Sequence, residues 1–387
     1  MDSIKITRTQ HSKINSIDFK NLGFVSEFSD HMLVCDYKNG AWGVPEIVPY
    51  QAISLMPSSK IFHYGQSIFE GMKAYKDEND SVWLFRPEDN FIRFNKSAVR
   101  MAMPEVPEAI FMDGLKELLK IDQAWVKKGN GNSMYIRPFM IGTGTGVIAN
   151  PSDNYKFMII LSPVKSYYAG EVKVIVAEHY SRAANGGIGA AKAAGNYSAQ
   201  FYPTKLANEK GFQQVIWTDD ATHTKLEESG TMNVFFRIND TLYTAPTSER
   251  ILDGVTRKSL IAIAERDGIQ LSVRSVLVTE LVEAAKNVTI CLKTLDLNKY
   301  CDTDFYTGKV VKRNKQKDLA MIEVKGLPTS LKPVVYGTYK GVKIGQTAFA
   351  IGHPDGLVWT FTNGMISQKR PNHKWKYKSS RHFANTI

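Results

Sequence analysis

The stretch NGGIGAAKAAGNY, Asn185 to Tyr197, holds a single charged side chain, Lys192, framed by glycine and alanine. No carboxylate lies within ten residues on its amino-terminal side, and none closer than Glu209 follows it. Surface lysines usually sit among other polar residues, so this frame leaves two readings open. One is a lysine on a flexible loop. The other is an amine with room beside it for a bulky planar partner, whose ammonium must shed its proton from a reference pKa of about 10.4 before it attacks an aldehyde. Spacing alone does not choose between them.

Outward from this stretch the chain alternates short β-branched and aromatic runs with helical ones. Strands are predicted at Val82–Phe85, Met134–Ile141, Lys156–Leu161, Val172–Ala177, Gln214–Thr218 and Met232–Arg237. A helix is predicted over Met112–Lys128, where Leu115, Leu118, Leu119 and Trp125 share one face and Gly129 is the stop. Two more are predicted at Glu88–Met101, with Pro87 in the first turn, and at Arg257–Arg266, with Thr256 as N-cap. SYYAGE, residues 166–171, reads as a connection between domains. The fold class up to Asn287 is therefore mixed α/β.

The composition, 43% hydrophobic and 22% charged over 387 residues, supports sizeable cores and at least two domains. The net charge of +11 invites a nucleic-acid reading, but its distribution argues against one. Residues 1–287 hold 32 basic and 32 acidic side chains, whereas residues 288–387 hold 17 and 6. The excess is scattered along short strands without the aromatic interleaving of a base-stacking surface. After Asn287 the texture is all-β: VTICLKTL, TGKVV, DLAMIEV, TAFAIG and VWTFTN, divided by Gly, Pro, Asn and Asp. Three cysteines, Cys35, Cys291 and Cys301, cannot form a disulfide framework, and no Cys/His group has zinc-ligand spacing, so no metal is expected. Apolar runs fall far short of the roughly 20 residues that span a bilayer, and MDSIKITRTQ has no apolar signal core, so the expectation is a cytoplasmic protein without membrane contact.

Six stretches in order carry a resemblance: HYGQSIFEGMKAY (His63 to Tyr75), FRPEDNFIRF (Phe85 to Phe94), MYIRP (Met134 to Pro138), GAAKAAGNY (Gly189 to Tyr197), LEESGTMNVFF (Leu226 to Phe236) and LDGVTRKSL (Leu252 to Leu260). Together they resemble a branched-chain amino-acid aminotransferase. The resemblance implies a fold-type IV enzyme that uses pyridoxal 5'-phosphate (PLP), with a small domain over 1–165, a linker at 166–171 and a large, PLP-binding domain over 172–287. The implied reaction moves the amino group of leucine, isoleucine or valine to 2-oxoglutarate, giving glutamate and a branched 2-oxo acid, in a homodimer.

On this resemblance Lys192 is the lysine that holds PLP covalently and shuttles the substrate proton. Glu228 faces the pyridine nitrogen, although two adjacent glutamates would otherwise read as a solvated pair. Tyr197 bonds the phenolic oxygen of PLP, where spacing alone would make it a core residue. Arg93 binds the phosphate, which the backbone N–H groups of Val255 and Thr256 receive at a helix start, and Thr231 has a supporting polar role. Tyr64, Phe69, Tyr135 and Tyr167 surround the substrate side chain, and Arg137 pairs with the distal carboxylate of glutamate.

The family continues beyond LVEAAKN with a strand and a Gly-Thr-Ala loop, a second phosphate contact that also serves the substrate α-carboxylate. Here VTICLKTLDL follows, and no Gly-Thr-Ala occurs after Asn287. The expectation is a large domain truncated at its C-terminal end and an impaired enzyme. KDLAMIEVKG (Lys317 to Gly326) and GQTAFAIGHPDGLVWTFTNGMIS (Gly345 to Ser367) resemble part of a trypsin-like serine peptidase of the high-temperature-requirement type, with Asp318 at the triad aspartate. No histidine lies between His223 and Asp318, His353 falls in the wrong motif, and no G-x-S-G follows, which argues against peptidase activity. Two sequences joined near Asn287 read as a fusion. The competing function is a catalytically inactive fusion or binding protein whose basic β segment contacts an anionic partner.

Overall fold

Two ten-residue strands set the frame of the first lobe: Ser133–Gly142, whose middle alternates buried and half-buried side chains, and Tyr155–Val164, buried along most of its length. In the computed structural model, which describes residues 4–129, 131–165, 172–291, 305–314, 319–324, 347–352 and 360–365, they pair antiparallel along their full length. They lie inside a nine-stranded sheet ordered Lys5–Ile6, Glu46–Pro49, His31–Lys38, Tyr155–Val164, Ser133–Gly142, Met72–Lys76, Val82–Leu84, with Ala41–Trp42 and Ser67–Phe69 as side branches. One face presents Met72, Ala74, Met134, Ile136 and Phe157 to a core that Phe94, Ala98, Leu115 and Leu118 close from the helical side. In-register partners share a face. Because Lys73 pairs with Tyr135, the other face carries Lys73, Tyr135 and Arg137.

The predicted helix Glu88–Met101 is observed as Pro87–Arg100, with Pro87, Glu88 and Asp89 in its first turn, where a missing N–H is harmless and acidic groups meet the dipole. The predicted helix Met112–Lys128 is corrected. A π-helical turn, Ala109–Asp113, leads into a helix that covers only Gly114–Ile121, and a short 3-10 turn follows at Gln123–Trp125. The chain stops winding at Asp122, whose buried carboxylate accepts a hydrogen bond from the His31 backbone N–H at 3.0 Å and pairs with His31 Nδ1 at 2.7 Å. That tertiary bond overrides the apolar periodicity.

In the second lobe, Val174–Val176, Gln214–Thr218, Lys225–Ser229 and Met232–Asn233 form a sheet in that order, the first pair parallel and the others antiparallel. The strand predicted at Met232–Arg237 is two strands. Met232–Asn233 folds back on Lys225–Ser229, while Phe236–Ile238 joins Thr241–Thr244 in a separate three-stranded sheet. The helix predicted from Arg257 starts at Val255 instead, with Gly254 as N-cap, so Thr256 lies inside the first turn.

The chain divides into two units, Met1–Val288 and Thr289–Ile387. In the second, the described strands Phe305–Asn314 and Leu319–Val324 pair antiparallel, as do Thr347–Gly352 and Thr360–Met365. Residues 166–171 with Tyr167, as well as Asp318 and His353, lie outside the described residues. Among the described residues no helix is long and apolar enough to cross a membrane.

Candidate active site

The Gly/Ala stretch around Lys192 owes its composition to crowding. The Ala190 N–H donates to the Glu249 carbonyl at 2.8 Å, Ala193 bridges to Ile68, and the Phe69 N–H donates to the Lys192 carbonyl at 3.0 Å. Ala191 and Ala193 are buried, and a Cβ on Gly189 would stand 2.5 Å from the Ala183 Cβ and 2.8 Å from the Arg250 backbone. Helix Pro87–Arg100 completes the clamp, since Ser97 Oγ accepts the Lys192 N–H at 2.9 Å. The loop is thus packed on several sides, and its lysine leaves it in a defined direction.

Lys192 Nζ donates to the Tyr197 hydroxyl at 2.8 Å and lies 4.8 Å from the centroid of the Phe69 ring. Both Lys192 and Tyr197 line a cavity of about 440 Å³, together with Arg93, Tyr135, Glu228, Thr231, Val255 and Thr256. Eight of the sequence-predicted residues therefore meet in one place. Phe69 packs on Tyr197 with ring centroids 4.7 Å apart. Arg137 stacks on Phe69 at 4.5 Å and donates to the Tyr135 hydroxyl at 2.8 Å. Tyr64 stands apart; it is exposed, and its hydroxyl donates to the Val147 carbonyl.

Glu228 is 4% exposed. Burial pushes its carboxyl up to about 7, against the downward pull of the Arg182 guanidinium, the Leu252 amide and Lys192. Three donors hold the group: Arg182 Nη2 at 2.5 Å from Oε1, then Asn233 Nδ2 at 2.9 Å and the Leu252 N–H at 3.3 Å on Oε2. Its neighbour Glu227 is engaged elsewhere, by Arg250 Nε at 2.5 Å, as strand alternation requires.

Arg93 is gripped by Glu70 through two parallel bonds of 2.7 and 2.8 Å, and donates from Nη1 to the Asp253 carbonyl at 3.1 Å. Burial works against its charge, and Glu70 more than restores it. Of a guanidinium's five N–H groups, two stay free for another anion. Beside it, helix Val255–Arg266 begins with no side chain capping its first turn. A Cβ on Gly254 would fall 1.9 Å from Asn233 Oδ1, so only glycine brings this turn so close to the strand. Arg257, buried at the same helix start, bonds the Ala245 carbonyl through Nη2 while its Nε has no partner.

An amine able to take an aldehyde, a hydroxyl beside it, a buried carboxylate, an uncapped helix start with two arginines and an orphaned buried N–H make a donor set that fits PLP end to end. Sequence reasoning missed Arg182, Asn233 and Glu70. Arg182 precedes Lys192 in a stretch read only for its small residues. Its pairing with Glu228 depends on the turn at Gly189, where Arg182 also donates to the carbonyl at 2.9 Å.

Comparison with known proteins bears on the same residues. The family described as Amino-transferase class IV matches residues 67–290, and a model described as Trypsin-like peptidase domain matches residues 267–386. Branched-chain-amino-acid aminotransferase 2 of Bacillus subtilis (strain 168) is 42% identical over 288 residues, which cover 73% of this chain and 78% of that protein. The branched-chain amino acid aminotransferase of Escherichia coli superposes with a TM-score of 0.54 at 26% identity, covering 67% of this chain and 82% of that one. The branched-chain aminotransferase of the thermophilic archaeon Thermoproteus uzoniensis, solved with norvaline, gives a TM-score of 0.56 with 65% and 81% covered, and at 23% identity it attests the fold alone. With its family match over the lysine loop, the buried carboxylate and the uncapped helix, the chain belongs to the class IV aminotransferases, among relatives named for branched-chain amino acids.

Proposed function

We propose that this protein transfers the amino group of leucine, isoleucine or valine to 2-oxoglutarate, with PLP as cofactor. The observation that carries the reading is the pair Lys192 Nζ and Tyr197 hydroxyl, 2.8 Å apart, in one cavity with the buried Glu228. When bound, PLP supplies the electron sink. Lys192 would hold the cofactor, and its Nζ is the group that would take the proton from the substrate α carbon. Tyr197 keeps the lysine amine in line through their hydrogen bond. Glu228 would offer its carboxylate to the ring nitrogen of the bound cofactor, and Arg182, Asn233 and the Leu252 amide orient it while Arg182 and the Leu252 amide draw it towards its ionised form. Arg93, the N–H groups of Val255 and Thr256, the Thr256 hydroxyl and Thr231 hold the phosphate end.

For the substrate, Phe69 and Tyr135 form apolar walls, and Arg137 serves the distal carboxylate of glutamate; the part that the resemblance gives Tyr167 falls outside the described residues. Tyr64 is assigned to the pocket of a second copy. In its own chain it anchors the loop that exposes Val147 and Ile148, which Lys60 also straps through the Ile148 carbonyl. Such exposed apolar groups support a homodimer.

Treating the purified protein with PLP and then borohydride is expected to place a pyridoxyl group on the Lys192 peptide. A label elsewhere, or none, removes the assignment. The missing Gly-Thr-Ala loop makes a second prediction. Each lost charge-assisted hydrogen bond is worth roughly 1.5 to 3 kcal/mol, so replacing residues 288–387 by a family-type ending should tighten PLP binding at least tenfold and raise leucine turnover with it. Equal affinity in the two proteins would mean that the present C-terminal segment supplies those contacts.

A further inference from the structure

Glu227 and Glu228 are adjacent on the strand Lys225–Ser229, and both are buried. Two buried carboxylates this close need separate cations, because each charge disfavours the other. Glu228 has Arg182, and Glu227 has Arg250, whose Nε stands 2.5 Å from Oε1. Arg250 also donates from Nη1 to Asn185 Oδ1 and lies 3.6 Å from Asp220 Oδ1. The two arginines are joined through the backbone, since Arg182 Nη2 donates to the Arg250 carbonyl as well as to Glu228. The same segment reaches Glu228 again two residues on, where the Leu252 N–H donates to Oε2 at 3.3 Å. Neither Glu227 nor Arg250 lines the cavity, so any influence they have there passes through Arg182 and Glu228.

Burial pushes both carboxyls up. Against it, Arg250 and then Arg182 draw Glu227 down, while Asp219 adds to the rise. Glu228 is drawn down by Arg182, the Leu252 amide and Lys192, and raised by Glu227. Arg182 therefore acts on both acids, and Glu227 acts on its neighbour. Without Arg250, an ionised Glu227 would claim part of the field of Arg182 and repel Glu228. We propose that Arg250 is a positioning residue that matches the charge of Glu227 and so reserves Arg182 for Glu228, the carboxylate assigned to the cofactor ring nitrogen. The role of Glu228 itself rests on the transaminase reading. An arginine suits the task because its guanidinium stays charged throughout the range in which Glu228 titrates.

The test follows Glu228 in the full chain without PLP, by carbon-13 NMR of labelled glutamate carboxyls, with the signal assigned by its loss in Glu228→Gln. The wild-type midpoint is expected at about 7. In Arg250→Met it should move up by about one pH unit or more, the effect of an unmatched like charge. Adding Glu227→Gln to that variant should bring it back to within about half a pH unit of wild type, because the unmatched charge is gone. PLP affinity, measured at equilibrium on the same proteins, should fall about tenfold at pH 7 in Arg250→Met. It should recover in the double variant and in Arg250→Lys, which keeps the charge. A midpoint that stays in place in Arg250→Met, Glu227 having taken up a proton instead, overturns the proposal. So does a loss of affinity that Glu227→Gln does not repair, which would make Arg250 a mechanical tether of the segment Ser248 to Leu252. If Arg250→Met does not fold, the other two variants decide: wild-type midpoints in both sustain the proposal, and a raised midpoint in either overturns it. The proposed function is judged separately. A wild type that binds PLP while Glu228 ignores Arg250 removes the inference alone, whereas midpoints that move as expected in a protein that never binds PLP remove the transaminase reading and leave the charge matching in place.

Discussion

Lys192→Ala should abolish leucine transamination, lowering kcat/KM by at least about a thousandfold. A positioned proton-transfer group contributes roughly 10² to 10⁴ in rate, and the same substitution also removes the covalent hold on the cofactor. Folding should survive, because the loop is fixed by backbone bonds of Lys192 with Ser97 and Phe69, which the mutation leaves in place. The cofactor should still bind through its phosphate end, more weakly. Methylamine added to the variant should restore a measurable fraction of the rate, since a free amine can enter the vacated space and carry the proton. A variant keeping more than about a tenth of wild-type turnover would place the base elsewhere.

The second large effect is expected at Arg182. Glu228 has a folded-state pKa of about 7, above its ordinary 4.5, because burial disfavours its charge. The folded state therefore binds more protons than the unfolded one between those values, and this group's contribution to stability falls as pH rises from about 4.5 to 7. Arg182 limits that loss. Arg182→Met removes the first pull against burial, so the carboxyl should titrate higher still, and the window of declining stability should extend above pH 7. Breaking a buried pair by removing one partner costs about 3 to 5 kcal/mol, enough to lower the melting temperature by on the order of 10 °C. The drop should be larger at pH 8 than at pH 5, where Glu228 is neutral and needs no counter-charge. Activity should follow the same titration with the opposite trend, the relative deficit being greatest at and below pH 7 and shrinking as pH rises further and Glu228 ionises without help. Melting and initial-rate profiles across that range check both signs; a deficit independent of pH would make Arg182 a packing residue only.

The parts of this site that sequence made legible are those written in short contiguous motifs. Lys192 with Tyr197, Glu228 with Asn233, and Gly254 with Val255 and Thr256 each sit within a few residues of one another, so a motif carries their geometry. Arg182 and Glu70 were not legible, because their meaning lies in partners brought together by tertiary structure. Glu70 appears within a quoted motif, yet nothing local announces that both its oxygens point at Arg93. The same physics explains the corrections to the elements. Apolar spacing carried the Met112–Lys128 helix past Ile121, since periodicity cannot see that Asp122 is bonded to His31, a strand residue far away in sequence. The run Met232–Arg237 has uniform β propensity, and only the sheet topology divides it.

The two-pronged grip of Glu70 on Arg93 also bears on how cofactor arrives and leaves. An arginine cradle without an internal carboxylate would project a positive potential into solvent and draw phosphates of many kinds towards the pocket. Here the guanidinium is already matched by a buried carboxylate, so little net field escapes from that corner. On the proposed function, capture would depend on the fit of a phosphate to two leftover N–H groups and an open helix turn, contacts that act only at short range. Inorganic phosphate and nucleotides, abundant in a cell and attracted chiefly by charge, would compete poorly for such a seat. The capture rate of PLP would vary little with ionic strength.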